Sequence, residues 1–253
     1  MKIKNNILIN NLNIKYILRK RNNEGPRVSV LFLCGYNSDM QGTKAKFLNK
    51  LSKKLGFEFL RFDYSGHGKS EGKIENETIS NWLEQSITLI KEKISYPLII
   101  IGSSMGGWLA LLIINKLKNK IKGFIGIACA PDFTEDLLLK LNPNQKKKYY
   151  LNNYISIPNK YGNNNYVFKK NFILDAKKNY VLKKEIISNT TIILLYGLED
   201  KDVSLNTQLK ILKKINSKES KLYISKESDH RMSNKKDLLL LERTLTSLIK
   251  DIS

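Results

Sequence analysis

The sequence predicts an α/β fold: a mostly parallel, twisted sheet with helices on both faces and a small helical insertion. Three observations lead there. Short apolar runs alternate with longer helical stretches along the chain, which is the order of strand–helix–strand units. Gly102-Ser103-Ser104-Met105-Gly106-Gly107 stands between the strand-like Pro97-Leu98-Ile99-Ile100-Ile101 and the helical Trp108-Leu109-Ala110-Leu111-Leu112-Ile113-Ile114. Finally, 253 residues at 42% hydrophobic content suffice for one such domain with a real core. We read residues 1–253 as a single domain with a cap-like insertion at 132–184.

The elements follow in order. The N-terminal part is strand-rich, with a strand at 13–19. Met1-Lys2-Ile3-Lys4-Asn5-Asn6 begins basic, but Ile7-Leu8-Ile9 is too short for a signal-peptide core and no small-residue cleavage site follows. The apolar run at 28–33 is a strand leading into the loop Cys34-Gly35-Tyr36-Asn37-Ser38. A helix spans 43–55. The next strand, 57–62, runs into Asp63-Tyr64-Ser65-Gly66-His67-Gly68-Lys69-Ser70, which lacks the phosphate-loop spacing. Asp63 is expected to bind local backbone there, and His67 to be structural. Helix 78–94, strand 97–101, helix 105–118 and strand 123–129 come next, with Trp108 packing into the core.

The stretch 132–184 breaks the rhythm. It is helical in places and aromatic-rich, with Tyr149, Tyr150, Tyr154, Tyr161, Tyr166, Phe168 and Phe172, and Asn163-Asn164-Asn165 forms a short polar loop. Strand 190–196, helix 205–215, strand 220–225 and helix 235–251 complete the chain.

Chemistry enters at the turn. A Gly-x-Ser-x-Gly turn from strand to helix lifts its serine, here Ser104, clear of the sheet in a strained conformation. The N-terminus of the following helix offers N–H groups to a developing oxyanion. The serine needs a base, and the chain has only two histidines. Around this turn the partners follow in the order serine, acid, histidine. His67 precedes Ser104, so His230 is the candidate. The acid belongs after the strand at 190–196, where Glu199, Asp200 and Asp202 compete. Asp200 ranks first by spacing, then Asp202, then Glu199. Asp229 adjoins the histidine, and adjacent side chains point apart. A carboxylate here fixes the imidazole tautomer and stabilises the imidazolium. The oxyanion donors expected are the N–H groups of Met105 and Tyr36, with Gly35 letting the backbone approach.

These residues resemble the α/β-hydrolase superfamily, and within it the family of the mitochondrial palmitoyl-protein thioesterase and mycophenolic acid acyl-glucuronide esterase. The specific strings are Met40-Gln41-Gly42-Thr43-Lys44-Ala45, Arg61-Phe62-Asp63-Tyr64-Ser65-Gly66 and Ser228-Asp229-His230-Arg231-Met232. The similarity also runs through Ile157-Pro158-Asn159-Lys160-Tyr161. The resemblance implies the α/β-hydrolase fold and a Ser104–Asp200–His230 triad. It also implies hydrolysis of acyl thioesters, including acylated proteins, and of acyl-glucuronide esters, without cofactor or metal. Arg231, beside the histidine, is a candidate for holding an anionic leaving group or for a salt bridge to Asp229. One departure is Ser204, where the family has proline, which loosens the acid loop. A general carboxylesterase and a catalytically idle hydrolase-fold binding protein are the competing readings.

The formal charge is +21. Lysine greatly outnumbers arginine, Asn and Ile are abundant, and the basic residues are spread along the chain apart from short clusters such as Lys146-Lys147-Lys148. That pattern reflects codon composition rather than a nucleic-acid site, since arginine for base reading is scarce. It leaves at most weak attraction to anionic membranes. No apolar run reaches membrane-span length, and two cysteines are too few for a disulfide framework. A cytoplasmic location is expected.

Overall fold

A computed structural model describes residues 2–159 and 165–252. The chain opens as a hairpin of β1 (Lys2–Ile9) and β2 (Leu12–Arg19). Asn10 and Asn11 turn it at φ 51° and 61°, the two-residue geometry that matches the right-handed twist of the flanking strands. The sequence reading missed β1, because Lys2, Lys4, Asn5 and Asn6 dilute its apolar pattern and its pairing, not its composition, makes it a strand.

Strict alternation follows: β3 (Ser29–Leu33), α1 (Thr43–Leu55), β4 (Glu58–Phe62), α2 (Ile79–Lys93), β5 (Leu98–Ser103), α3 (Met105–Lys116) and β6 (Ile121–Ile127). Residues 132–184 contribute α4 (Phe133–Lys140), α5 (Pro143–Asn152), β7 (Tyr154–Ile157), β8 (Tyr166–Lys169) and α6 (Lys170–Lys178), and β9 (Ile186–Ile187) follows them. The chain ends with β10 (Thr191–Gly197), α7 (Leu205–Lys214), β11 (Ile215–Asn216), β12 (Glu219–Ser225) and α8 (Lys235–Ile252). Strand β6 stops short of the expected 129 because Ala128 takes φ 45° and turns the chain. The sequence reading saw helix in the insertion but not the antiparallel β7–β8 pair. Of the expected polar loop, Asn163 and Asn164 lie outside the described residues, as does Tyr161.

Eight strands form one sheet in the order β1-β2-β4-β3-β5-β6-β10-β12. Strands β3, β4, β5, β6, β10 and β12 run parallel, and the β1–β2 hairpin joins antiparallel to β4. Every residue of β3, β4 and β5 is buried, which requires cover on both faces. Helix α1 packs with α8, and α2 with α3. Parallel strands all end at one edge, so the loops after β3, β5, β10 and β12 gather there.

The insertion is fastened at its base. Asp132 enters it at φ 55°. Its carboxylate accepts the N–H of Val181 at 2.9 Å and of Leu182 at 2.9 Å. Burial raises this carboxyl to about 6, against the lowering effect of those N–H donors. Trp108, fully buried on α3, donates its indole N–H to the Asn179 carbonyl at 3.0 Å and meets Phe133 edge-on. The expected core role of Trp108 therefore includes seating the insertion.

Candidate active site

Strand β5 ends at Ser103 and α3 begins at Met105, leaving Ser104 at the turn with φ 54° and ψ −118°. Such backbone costs a non-glycine residue roughly 1–3 kcal/mol. Its neighbours hold it there. A Cβ on Gly102 would stand 2.4 Å from the Gly106 carbonyl oxygen, and one on Gly106 would stand 2.2 Å from that of Leu33. Only glycines let strand, turn and helix approach this closely.

His230 reaches Ser104 from the loop after β12. Its Nε2 lies 3.1 Å from Ser104 Oγ, and its Nδ1 lies 2.7 Å from Asp200 Oδ2. The Asp200 side chain is fully buried and that of His230 is partly exposed. The other carboxylate oxygen, Oδ1, accepts the N–H groups of Asp202 at 2.8 Å and Val203 at 2.9 Å. With both oxygens engaged, the orientation of Asp200 is fixed. The structure thus brings together Ser104, His230 and Asp200, and places Asp200 rather than Asp202 or Glu199 on the imidazole. Ser204 is the N-cap of α7 and accepts the Thr207 N–H at 3.3 Å, so a cap anchors the loop that the serine was expected to loosen.

The histidine loop is pinned from three sides. Ser228 Oγ donates to Asp237 on α8. Asp229 Oδ1 accepts the Met232 N–H at 3.1 Å. Lys44, in the first turn of α1, donates to the Arg231 carbonyl and lies 3.3 Å from Ser233 Oγ. An ammonium there opposes the helix dipole, and burial lowers its pKa to about 8. The sequence reading gave Lys44 no role, although it sits in one of the strings that carry the resemblance.

On the other side, Gly35 presses the loop after β3 against the serine: a Cβ there would stand 3.3 Å from Ser104 Cβ. Tyr36 and Met105, the expected oxyanion donors, line the same cavity as Ser104, His230 and Arg231. Met105 opens α3, where backbone N–H groups have no intrahelical acceptor. The sequence assigned Tyr36 only its backbone. Its ring also packs on Phe168 at 5.0 Å and Tyr166 at 5.5 Å, joining the loop to the insertion. The cavity measures about 500 Å³, and Phe133, Leu137, Ile157 and Phe168 of the insertion form much of its apolar wall.

Asp63 and His67 behave as expected. Asp63 accepts the N–H groups of Met40 and Lys69 at 2.7 and 2.9 Å. His67 Nε2 accepts the Asn37 N–H at 3.1 Å, so its Nδ1 carries the proton toward the Ser65 carbonyl. Burial lowers its pKa from 6.5 to about 4. Between those values the unfolded chain binds a proton that the folded chain refuses. Stability from His67 is therefore complete above pH 6.5 and lost as pH falls toward 4, by up to about 3 kcal/mol. His67→Gln is expected to flatten the stability–pH slope across that window. An unchanged slope in denaturation curves would remove His67 from the acid response.

Among the described residues, Asp200, Asp202 and His230 form a cluster with metal-ligand spacing. Asp200 already spends both oxygens on His230 and backbone N–H groups, so the donor set suits a hydrogen-bonded relay better than an ion.

A family model described as serine aminopeptidase, S33 matches residues 24–156. Over 231 residues the chain is 34% identical to the human protein named palmitoyl-protein thioesterase ABHD10, mitochondrial, covering 91% of this chain and 76% of that one. A protein from Agrobacterium vitis S4 described as a hydrolase superposes with a TM-score of 0.94 at 31% identity, over 98% of this chain and 99% of that one. Mouse alpha/beta hydrolase domain-containing protein 10 does so at 0.90 and 29%, over 99% and 100%. With the serine turn, the parallel sheet and these relatives in agreement, the chain is a serine hydrolase of the α/β-hydrolase superfamily and belongs to the palmitoyl-protein thioesterase ABHD10 family.

Proposed function

We propose that the protein hydrolyses acyl esters and thioesters through an acyl-enzyme on Ser104. The observation that carries this reading is the continuous hydrogen-bond chain from Ser104 through His230 to Asp200, facing an apolar-walled cavity. His230 Nε2 takes the Ser104 proton as Oγ attacks the acyl carbonyl. Asp200 holds the tautomer that leaves Nε2 free to accept, and stabilises the imidazolium that forms. The N–H groups of Met105 and Tyr36 hold the oxyanion. The proton passes to the departing thiol or alcohol, and His230 then activates water to release the acid. The residues 132–184 act as a cap that shapes the acyl pocket and excludes water.

A fluorophosphonate probe tests the core of this reading. Labelling mapped to Ser104 supports it, and an unlabelled, folded protein reverts it to an idle binder.

Substrate choice follows from the walls. Each buried methylene stabilises the transition state by about 0.8 kcal/mol, close to fourfold in rate. Catalytic efficiency is expected to climb from acetyl toward medium acyl esters until the cavity fills, and a flat profile would remove the acyl-pocket role of the cap. Lys44, Lys140, Lys201 and Arg231 also line the cavity, against Asp136 and Asp202. This cationic excess supports an anionic leaving group such as a glucuronide, with Arg231 as its contact. In Arg231→Met, kcat/KM is expected to fall more for an acyl-glucuronide than for a matched neutral ester. Equal losses would leave Arg231 structural. For compartment, the two buried, unpaired cysteines support a reducing setting, and the ABHD10 relatives are named mitochondrial.

A further inference from the structure

The insertion carries a second feature that the chemistry at Ser104 does not use. Among the described residues, the three most exposed large apolar side chains fall within thirteen residues of the chain: Leu139 at 74%, Tyr150 at 75% and Leu151 at 69%. Scattered exposed apolar residues are ordinary on a protein surface, whereas a cluster marks a contact face. The same stretch is one-signed. From residue 137 to 174 the sequence has seven lysines and no carboxylate, although the whole chain holds 23.

Helix α5 organises the two kinds of residue. Lys146 and Tyr150, and Lys147 and Leu151, stand four apart and therefore share one side of the helix. All four are exposed, while Tyr149 turns inward. Lysine stems lie along apolar surface with the ammonium groups reaching outward, and tyrosine suits a boundary between apolar and polar layers. The elements that precede and follow α5 both reach the cavity. On α4, Phe133, Leu137 and Lys140 line the cavity while Leu139 points outward. On β7, Ile157 lines it and Tyr154 at the other end is exposed.

We propose that α5, with Tyr154 on the adjoining β7, is a docking face for an anionic phospholipid bilayer, and that it holds the mouth of the cavity at the membrane surface. The occupant follows from charge complementarity. Helix α5 itself carries Lys146, Lys147 and Lys148 and no carboxylate; with the exposed Glu135 and Asp136 confined to α4, α5 matches a fluid anionic surface into which a few apolar side chains can dip. No helix among the described residues is long and apolar enough to cross a membrane. The proposal deepens the acyl-hydrolase reading by stating where the acylated substrate is met. Its test is scored by binding, not turnover, so the two fail separately.

The experiment is co-sedimentation with vesicles of phosphatidylcholine alone and of phosphatidylcholine with phosphatidylserine in equal parts. The parent protein is expected to bind the mixed vesicles and to leave the neutral ones largely unbound. Lys146→Gln/Lys147→Gln/Lys148→Gln is expected to lower partitioning about 100-fold, and Tyr150→Ser/Leu151→Ser about tenfold. Lys116→Gln/Lys118→Gln/Lys122→Gln removes the same charge from exposed positions around the start of β6, at the opposite edge of the sheet. That control is expected to stay within about threefold of the parent, since surface charges act over roughly a Debye length. Turnover of a water-soluble short-chain ester by each variant confirms folding, because none of these residues lines the cavity. The proposal is overturned if the parent does not bind, if the control triple loses as much as the α5 triple, or if the Tyr150/Leu151 variant binds like the parent.

Discussion

Ser104→Ala is expected to lower kcat by about 10⁴-fold or more while leaving the fold intact. Removing Oγ leaves His230 with no group to deprotonate, yet the turn is held by Gly102 and Gly106 and not by the hydroxyl. Alanine accepts the strained backbone no better than serine, so the unfolding midpoint is expected to stay near that of the parent. Ser103→Ala supplies the contrast. Ser103 is the last residue of β5 and makes no contact with His230 in the hydrogen-bond chain, so its loss is expected to be mild. Near-normal turnover by the Ser104 variant, measured with a chromogenic ester, would sink the nucleophile assignment.

Asp200→Asn is expected to cost on the order of 10⁴-fold in kcat, whereas Asp202→Asn costs less than about tenfold. The reason lies in the two N–H groups that Asp200 Oδ1 accepts. They hold the asparagine carbonyl in that place and turn its NH₂ toward His230 Nδ1. The imidazole then keeps Nδ1 as an acceptor and carries its proton on Nε2, where it can no longer take one from Ser104. Asp202, by contrast, serves this pair through its backbone N–H, which the substitution leaves alone. If the ranking is reversed, the acid role passes to Asp202.

What the sequence disclosed and withheld follows from the range of each constraint. Ser104 was legible because the turn is local: two apolar runs and two close-packed glycines determine it. His230 was legible because only two histidines exist and chain order removes one. Asp200 ranked first but had rivals, since the deciding bonds come from the curl of its own loop. Lys44 and the ring of Tyr36 were missed for a different reason. Each works on a segment more than a hundred residues away, and no periodicity reports such a meeting. Strand β1 escaped because its polar residues hide the alternation, though Asn10-Asn11 was a readable turn signal. The insertion kept its β7–β8 pair hidden because its aromatic residues serve the cavity wall and carry no clean period.

The fastening at Asp132 has a consequence for how this enzyme can change over generations. Because one carboxylate holds residue 132 to residues 181 and 182, the intervening chain is closed at its base. Closing a loop of altered length between fixed ends costs entropy only slowly, about 0.6 kcal/mol per doubling. Insertions, deletions and substitutions there can remodel the cavity wall without moving β5, β10 or the histidine loop. Ser104, Asp200 and His230 all lie outside that span, whereas Phe133, Leu137, Ile157 and Phe168 lie within it. The cavity wall and the Ser104–His230–Asp200 hydrogen-bond chain can therefore vary separately within one chain.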